Sequence, residues 1–211
     1  SFNLLHMMDS NSFIEGSSLA KDSVLTFMGT PLRAVAFLAL FLGFAIKLPI
    51  VPFHTWLPDA HVEAATPISV ILAALLLKLG GYGLYRIAFS IFPDAALHFG
   101  YYIAICGVLA IIYGGMNAMA QNDLKRMIAY SSISHMGFVL IGLGSFTVEG
   151  AAGGMFQMIA HGFISAALFL IVGVLYDRTQ NRKVKNFSGL ATKLPGYSFV
   201  VMLVFFASLG L

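Results

Sequence analysis

The stretch from Phe44 to Arg86 decides what kind of chain this is. It holds two long apolar segments, each with a lysine near its middle, Lys47 and Lys78. A lysine at the centre of a membrane span costs roughly 3 kcal/mol or more, so its presence there marks a functional candidate. Between the segments lie Pro49, Pro52 and Pro58, with a cluster of His54, Asp59, His61 and Glu63. Proline removes a backbone donor and clashes with the preceding turn, so the first helix must break near Lys47. Broken backbone at membrane depth survives only against protein or a water-filled cavity. Two lysines flanking a proline-broken helix form the pattern of an ion or proton path.

Composition agrees. The chain is 59% hydrophobic and 10% charged, where soluble domains carry about 25% charged residues. The expected fold class is therefore all-α, a polytopic transmembrane helix bundle with a proline-broken helix, about five full spans and a truncated sixth. Residues 1–30 read as an extramembrane loop and residues 31–211 as the transmembrane domain. The net charge of +3 says little about nucleic acid, because the basic residues sit in interhelical loops, and no nucleic-acid partner is expected. The single cysteine, Cys106, lies inside an apolar run and can hold neither an iron–sulfur cluster nor an internal disulfide. The last apolar run, Tyr197–Leu211, is shorter than the roughly 20 residues of a span, which predicts a piece of a longer protein.

The first span runs from Leu32 to Ile46. Thr66 as N-cap and Pro67 at the first helical position start a helix reaching Phe92. Further spans are expected over about Phe99–Met119, from Lys125 to Leu143, and over Ala151–Tyr176, with a turn at Gly144–Gly150. The linkers after spans one, three and five carry Lys125, Arg126, Arg178, Arg182, Lys183, Lys185 and Lys193. Lys21, Arg33 and Arg86 lie on the other side. The positive-inside rule places the basic loop Asp177–Lys193 and the His54–Glu63 linker in the cytoplasm.

Helix rise puts Lys78 about 17 Å deep, and His135 and His161 about 15 Å deep, in a core about 30 Å thick. Lys47 sits at the break of its own helix. Four polar side chains from four helices at one depth predict a row facing the bundle interior, with Ser131, Ser134 and Gln157 holding bridging waters. The plainer alternatives are lysines bonded to backbone carbonyls and histidines as hydrogen-bonded core residues. His54, Asp59, His61 and Glu63 are spaced too irregularly across prolines for a metal site, and read as polar capping at the interface. The nine acidic residues all lie in loops or at span ends, so neither lysine has a carboxylate partner within a span.

Four strings, KLPIVPFHTWLPDAH followed by EAATP, LLLKLGGYGLYR, NDLKRMIAYSSISHMGF and MIAHGFISAALFLIVGVLYDR, resemble the antiporter-like membrane subunits of respiratory complex I, most of all the chain-4 type. The resemblance covers about Leu32–Leu211. It implies part of a 14-helix subunit that translocates protons within NADH:quinone oxidoreductase, a translocase enzyme, alongside other membrane subunits in the lipid bilayer. It assigns Lys47, Lys78, His135 and His161 to the proton path. It sets two key glutamates on helices outside these residues. No cofactor or metal is expected in this chain; quinone, NADH, FMN and iron–sulfur clusters belong elsewhere in the complex. A bacterial cytoplasmic membrane is the expected location, an organellar membrane the alternative. Two other readings stand beside this one, a cation/proton antiporter subunit of the same superfamily and a non-transporting scaffold.

Moving one charge against 100 mV takes about 2.3 kcal/mol, so an assumed potential of about 150–200 mV asks for about 4 kcal/mol. That equals roughly 3 pKa units at about 1.4 kcal/mol each. A buried lysine whose partner and hydration alternate can supply such a swing.

Overall fold

A computed structural model describes residues 31–210 without a break, together with Met7, Met8, Leu19, Thr26, Phe27 and Thr30. Most of the segment expected as an extramembrane loop, residues 1–30, lies outside the described residues. Strands β1 (Thr26–Phe27) and β2 (Thr30–Pro31) pair antiparallel just ahead of the first helix. Nearly everything after them is helical. Helices α1 (Leu32–Lys47) and α2 (Trp56–Glu63) are followed by α3 (Thr66–Ile91) and α4 (Pro93–Ala120). Then come α5 (Leu124–Gly144), α6 (Val148–Thr179), α7 (Leu190–Lys193) and α8 (Pro195–Ser208).

The proline-broken helix is present. α1 stops at Lys47, the chain turns through Pro49 and Pro52, and α2 resumes at Trp56, whose Nε1 donates to the Ile46 carbonyl at 2.9 Å across the break. Helices α3 to α6 are long and apolar enough to cross a membrane. α1 has 16 residues and α8 has 14, about 24 and 21 Å of rise. By length and composition, then, four helices among the described residues reach a full span.

Local chemistry sets the boundaries. Asp123 caps α5 by accepting from the Lys125 and Arg126 amides at 2.8 and 3.2 Å, and Thr147 caps α6 by accepting from Gly150 at 3.0 Å. Two expectations shift. The span expected from about Phe99 begins earlier, at Pro93, because proline fits the first turn of a helix, where its missing N–H costs nothing. Thr66 is not the cap of α3. Ala65 holds that position without a side-chain bond, and Thr66 packs instead against Gly173 of α6.

The core is a seam of small residues and branched side chains. Phe37, Leu84, Ile103, Met136 and Leu140 form its largest part, and Ile128, Leu168 and Phe169 build a second cluster against α8. Outward, Tyr101, Met119, Phe156 and Phe163 stand exposed. Lipid solvates such a surface; water does not.

Candidate functional site

Lys78 stands twelve residues past Thr66 on α3, between two π-helical turns, Leu72–Leu76 and Leu84–Ala88. Its Nζ donates to the Ala73 carbonyl and lies 2.7 Å from Nδ1 of His161 on α6. Gly162 lies beside this contact, where a Cβ would sit 3.2 Å from the Ala74 carbonyl oxygen and in ordinary contact, 3.8 Å, with Lys78 Cε. His161 is buried, and its ring centroid is 5.3 Å from that of His135 on α5. His135 Nδ1 lies 3.2 Å from Gln157 Nε2. An ammonium can only donate, so the Lys78 contact fits an accepting Nδ1 on His161, while in the Gln157 contact the donor follows the tautomer of His135.

The structure thus brings Lys78, His161, His135 and Gln157 into one connected cluster on α3, α5 and α6. The first step is a direct contact, where the depths alone predict bridging water. A small cavity of about 10 Å³ borders both histidines, with Ser131, Ser132 and Ser165 in its wall. That is room for one water among polar partners. Ser134 does not join. It donates to the Ile111 carbonyl of α4 at 3.1 Å, because its side of α5 faces α4. Lys47 stands apart: it is exposed, and its ammonium has no hydrogen-bond partner among the described residues. Its backbone, however, meets α3, where a Cβ on Gly80 would sit 2.8 Å from the Leu48 amide nitrogen. An apolar groove of about 590 Å³ runs between α3 and α6, with Lys78 as the charged group in its wall.

Several residues read from sequence as solvated or capping are buried. His54 and His61 are 4% and 0% exposed, and no ring nitrogen of either has a hydrogen-bond partner among the described residues. His61 lies flat on Phe169 of α6, centroids 4.4 Å apart. Lys125 is 2% exposed and donates to the Ala64 carbonyl at 2.9 Å, while Arg182 donates to the Val62 carbonyl at 2.8 Å and pairs with Asp123 at 3.4 Å. Two cations therefore cap the carbonyl end of α2. The Arg182 segment is itself laced to the start of α5 by Leu124→Arg182 and Val184→Asn122 backbone bonds, both 3.0 Å. No periodicity in the sequence signals this, since it follows from α2 folding back onto α5 and α6.

The family model described as "NADH:quinone oxidoreductase/Mrp antiporter, TM" matches residues 2–211. The chain belongs to that family. Among curated members of the family, the NADH-quinone oxidoreductase subunit M of Rickettsia prowazekii (strain Madrid E) is 53% identical over 173 residues, 82% of this chain and 35% of the relative. The NAD(P)H-quinone oxidoreductase chain 4-3 of Nostoc sp. is 51% identical over 164 residues, 78% of this chain and 29% of the relative. The chain spans about a third of the length of these relatives. A chain of respiratory complex I from Thermus thermophilus superposes with a TM-score of 0.77 at 35% identity, covering 83% of this chain and 38% of that one. A chain of the Mrp complex from Dietzia sp. gives 0.77 at 26% identity, over 85% and 33%. The resemblance read from the motifs and the antiporter-family match agree, and four of the described helices are long and apolar enough to cross a membrane.

Proposed function

We propose that this chain carries protons through an antiporter-like membrane subunit of a proton-pumping NADH:quinone oxidoreductase in a bacterial cytoplasmic membrane. The observation that carries the proposal is the 2.7 Å contact between Lys78 Nζ and His161 Nδ1 inside apolar spans, continued by His135 and Gln157. An ammonium against an imidazole acceptor is a donor–acceptor pair across which a proton can pass. The next ring, 5.3 Å away, extends the route sideways through the bundle. Redox chemistry on NADH, FMN, iron–sulfur clusters and quinone takes place in other subunits of the assembly. The protein's part here is to hold and hand on protons. Lys47, unpartnered among the described residues, serves as the input-side switch and meets a carboxylate from a helix outside these residues, as the resemblance implies.

Redox-driven acidification of membrane vesicles tests the proposal. Loss of pumping in Lys78→Met supports it, and normal pumping removes it in favour of a scaffold. The Mrp superposition supports a second reading, cation/proton antiport. Sodium flux in the same vesicles decides between them: coupled sodium transport through this subunit contradicts the proton reading.

Orientation gives a separate prediction. In a Cys106→Ala background, Ser188→Cys should react with an impermeant maleimide from the cytoplasmic side and Glu149→Cys from the opposite side. Both positions are exposed. The reversed pattern contradicts the topology.

A further inference from the structure

We infer that His61 is the proton-transfer group joining the surface beside the basic loop to Lys78 and His161. This inference rests on the proton-carrying function proposed above and adds the place where protons enter or leave the row. Three observations support it.

The first is position. The three helices that carry Lys78, His135 and His161 converge on His61. Its ring lies on Phe169 of α6, its carbonyl accepts from the buried Ser69 hydroxyl of α3 at 3.2 Å, and its helix packs on α5. The second is the surface pocket next to it. A pocket of about 350 Å³ is lined by Glu63 and Asp177 together with Lys125, Thr66, Tyr176 and Arg182. Two carboxylates at its wall, one of them two residues from His61, are fit to collect protons from bulk water. The third is the state of the ring. Buried imidazole nitrogens are nearly always bonded, yet His61, fully buried, has no protein partner on either nitrogen among the described residues. His54 shares that state but lies against Tyr113 of α4; at His61 the nitrogens sit among the helices of the row, where they can hold water and the passing proton.

The charged and titratable groups acting around His61 are Lys125 from α5, Lys78 from α3 and His161 from α6. The positive charges of Lys125 and Lys78 disfavour a second proton on the ring, so His61 passes protons on and does not store them. A proton bound at one ring nitrogen is matched by release of the proton at the other, so charge balances at every step and a tautomer change resets the ring.

The test uses the full-length subunit in its assembled complex, in membrane vesicles. His61→Phe preserves the stack on Phe169 and His61→Gln preserves polarity, so one variant remains informative where the other disturbs folding. Both should assemble, lower coupled electron transfer and proton pumping about ten-fold, and raise the solvent deuterium isotope effect, because proton delivery becomes rate-limiting. Wild-type rates in either assembled variant overturn the inference, and so does a loss of rate with no change in isotope effect, which marks a structural role. Lys78→Met is run alongside. If it pumps normally, the underlying function fails; if it is inactive while the His61 variants pump normally, only the present inference fails.

Discussion

In Lys78→Met, redox-driven proton pumping and the electron transfer coupled to it fall at least about ten-fold, a loss of about 1.4 kcal/mol or more, while the complex assembles at normal levels. Methionine matches the length of the lysine stem and suits the apolar groove between α3 and α6, so packing there is kept. Removing a cation from a membrane span relieves a cost of roughly 3 kcal/mol and does not destabilise the bundle on that account. The partners left behind, the Ala73 carbonyl and His161 Nδ1, are acceptors that water can satisfy. What disappears is the group whose Nζ lies 2.7 Å from His161 Nδ1, placed to hand a proton to it. Vesicle acidification on substrate addition, normalised to the amount of assembled complex, checks this. Wild-type pumping by the assembled variant leaves the lysine as a carbonyl-bonded structural residue.

Gly137→Leu produces the largest loss of assembly. Gly137 of α5 and Gly107 of α4 face each other backbone to backbone. A Cβ on Gly137 would lie 2.5 Å from the Gly107 carbonyl oxygen, and one on Gly107 would lie 2.7 Å from the Gly137 carbonyl oxygen. The obstructing atoms are backbone, so no side chain can rotate away. The helices must separate, which also draws α5 off its packing near His135. Overpacking of this kind costs about 1–3 kcal/mol and more where the backbone is fixed, and small residues at membrane helix crossings have no other substitute for close approach. The amount of intact complex on native gels should fall several-fold, and its melting temperature should drop. Gly153→Ala is the control, since its Cβ would meet nothing within 4 Å. Equal abundance of Gly137→Leu and Gly153→Ala would show that the crossing tolerates separation.

The apolar runs, caps and prolines make most of the bundle legible in the sequence. Lys78, His135 and His161 are marked there by a property visible in one dimension, a polar group far from either end of an apolar segment. Gln157 is legible for the same reason. The direct Lys78–His161 contact is not, because it depends on how α6 is rotated against α3. Lys47 looks equivalent to Lys78 in the sequence. Its helix ends at it, however, and the break leaves its side chain exposed, away from the other three. His61 and Lys125 mislead in the opposite direction. Prolines on either side of His61 suggest an interfacial loop, and Lys125 beside Arg126 suggests a solvated charge pair. The fold-back of α2 buries both, an event of tertiary structure with no local periodicity to announce it.

Coupling between Lys78 and His161 tests the proton row most directly. Lys78→Arg and His161→Gln each retain a polar side chain and should leave measurable pumping, so the single losses and the double loss can be compared in one cycle. If both residues serve one path, the first substitution already limits the flow, and the double variant should pump about as well as the poorer single variant. If the two losses multiply in the assembled double variant, the residues act independently and the row is not a single proton path.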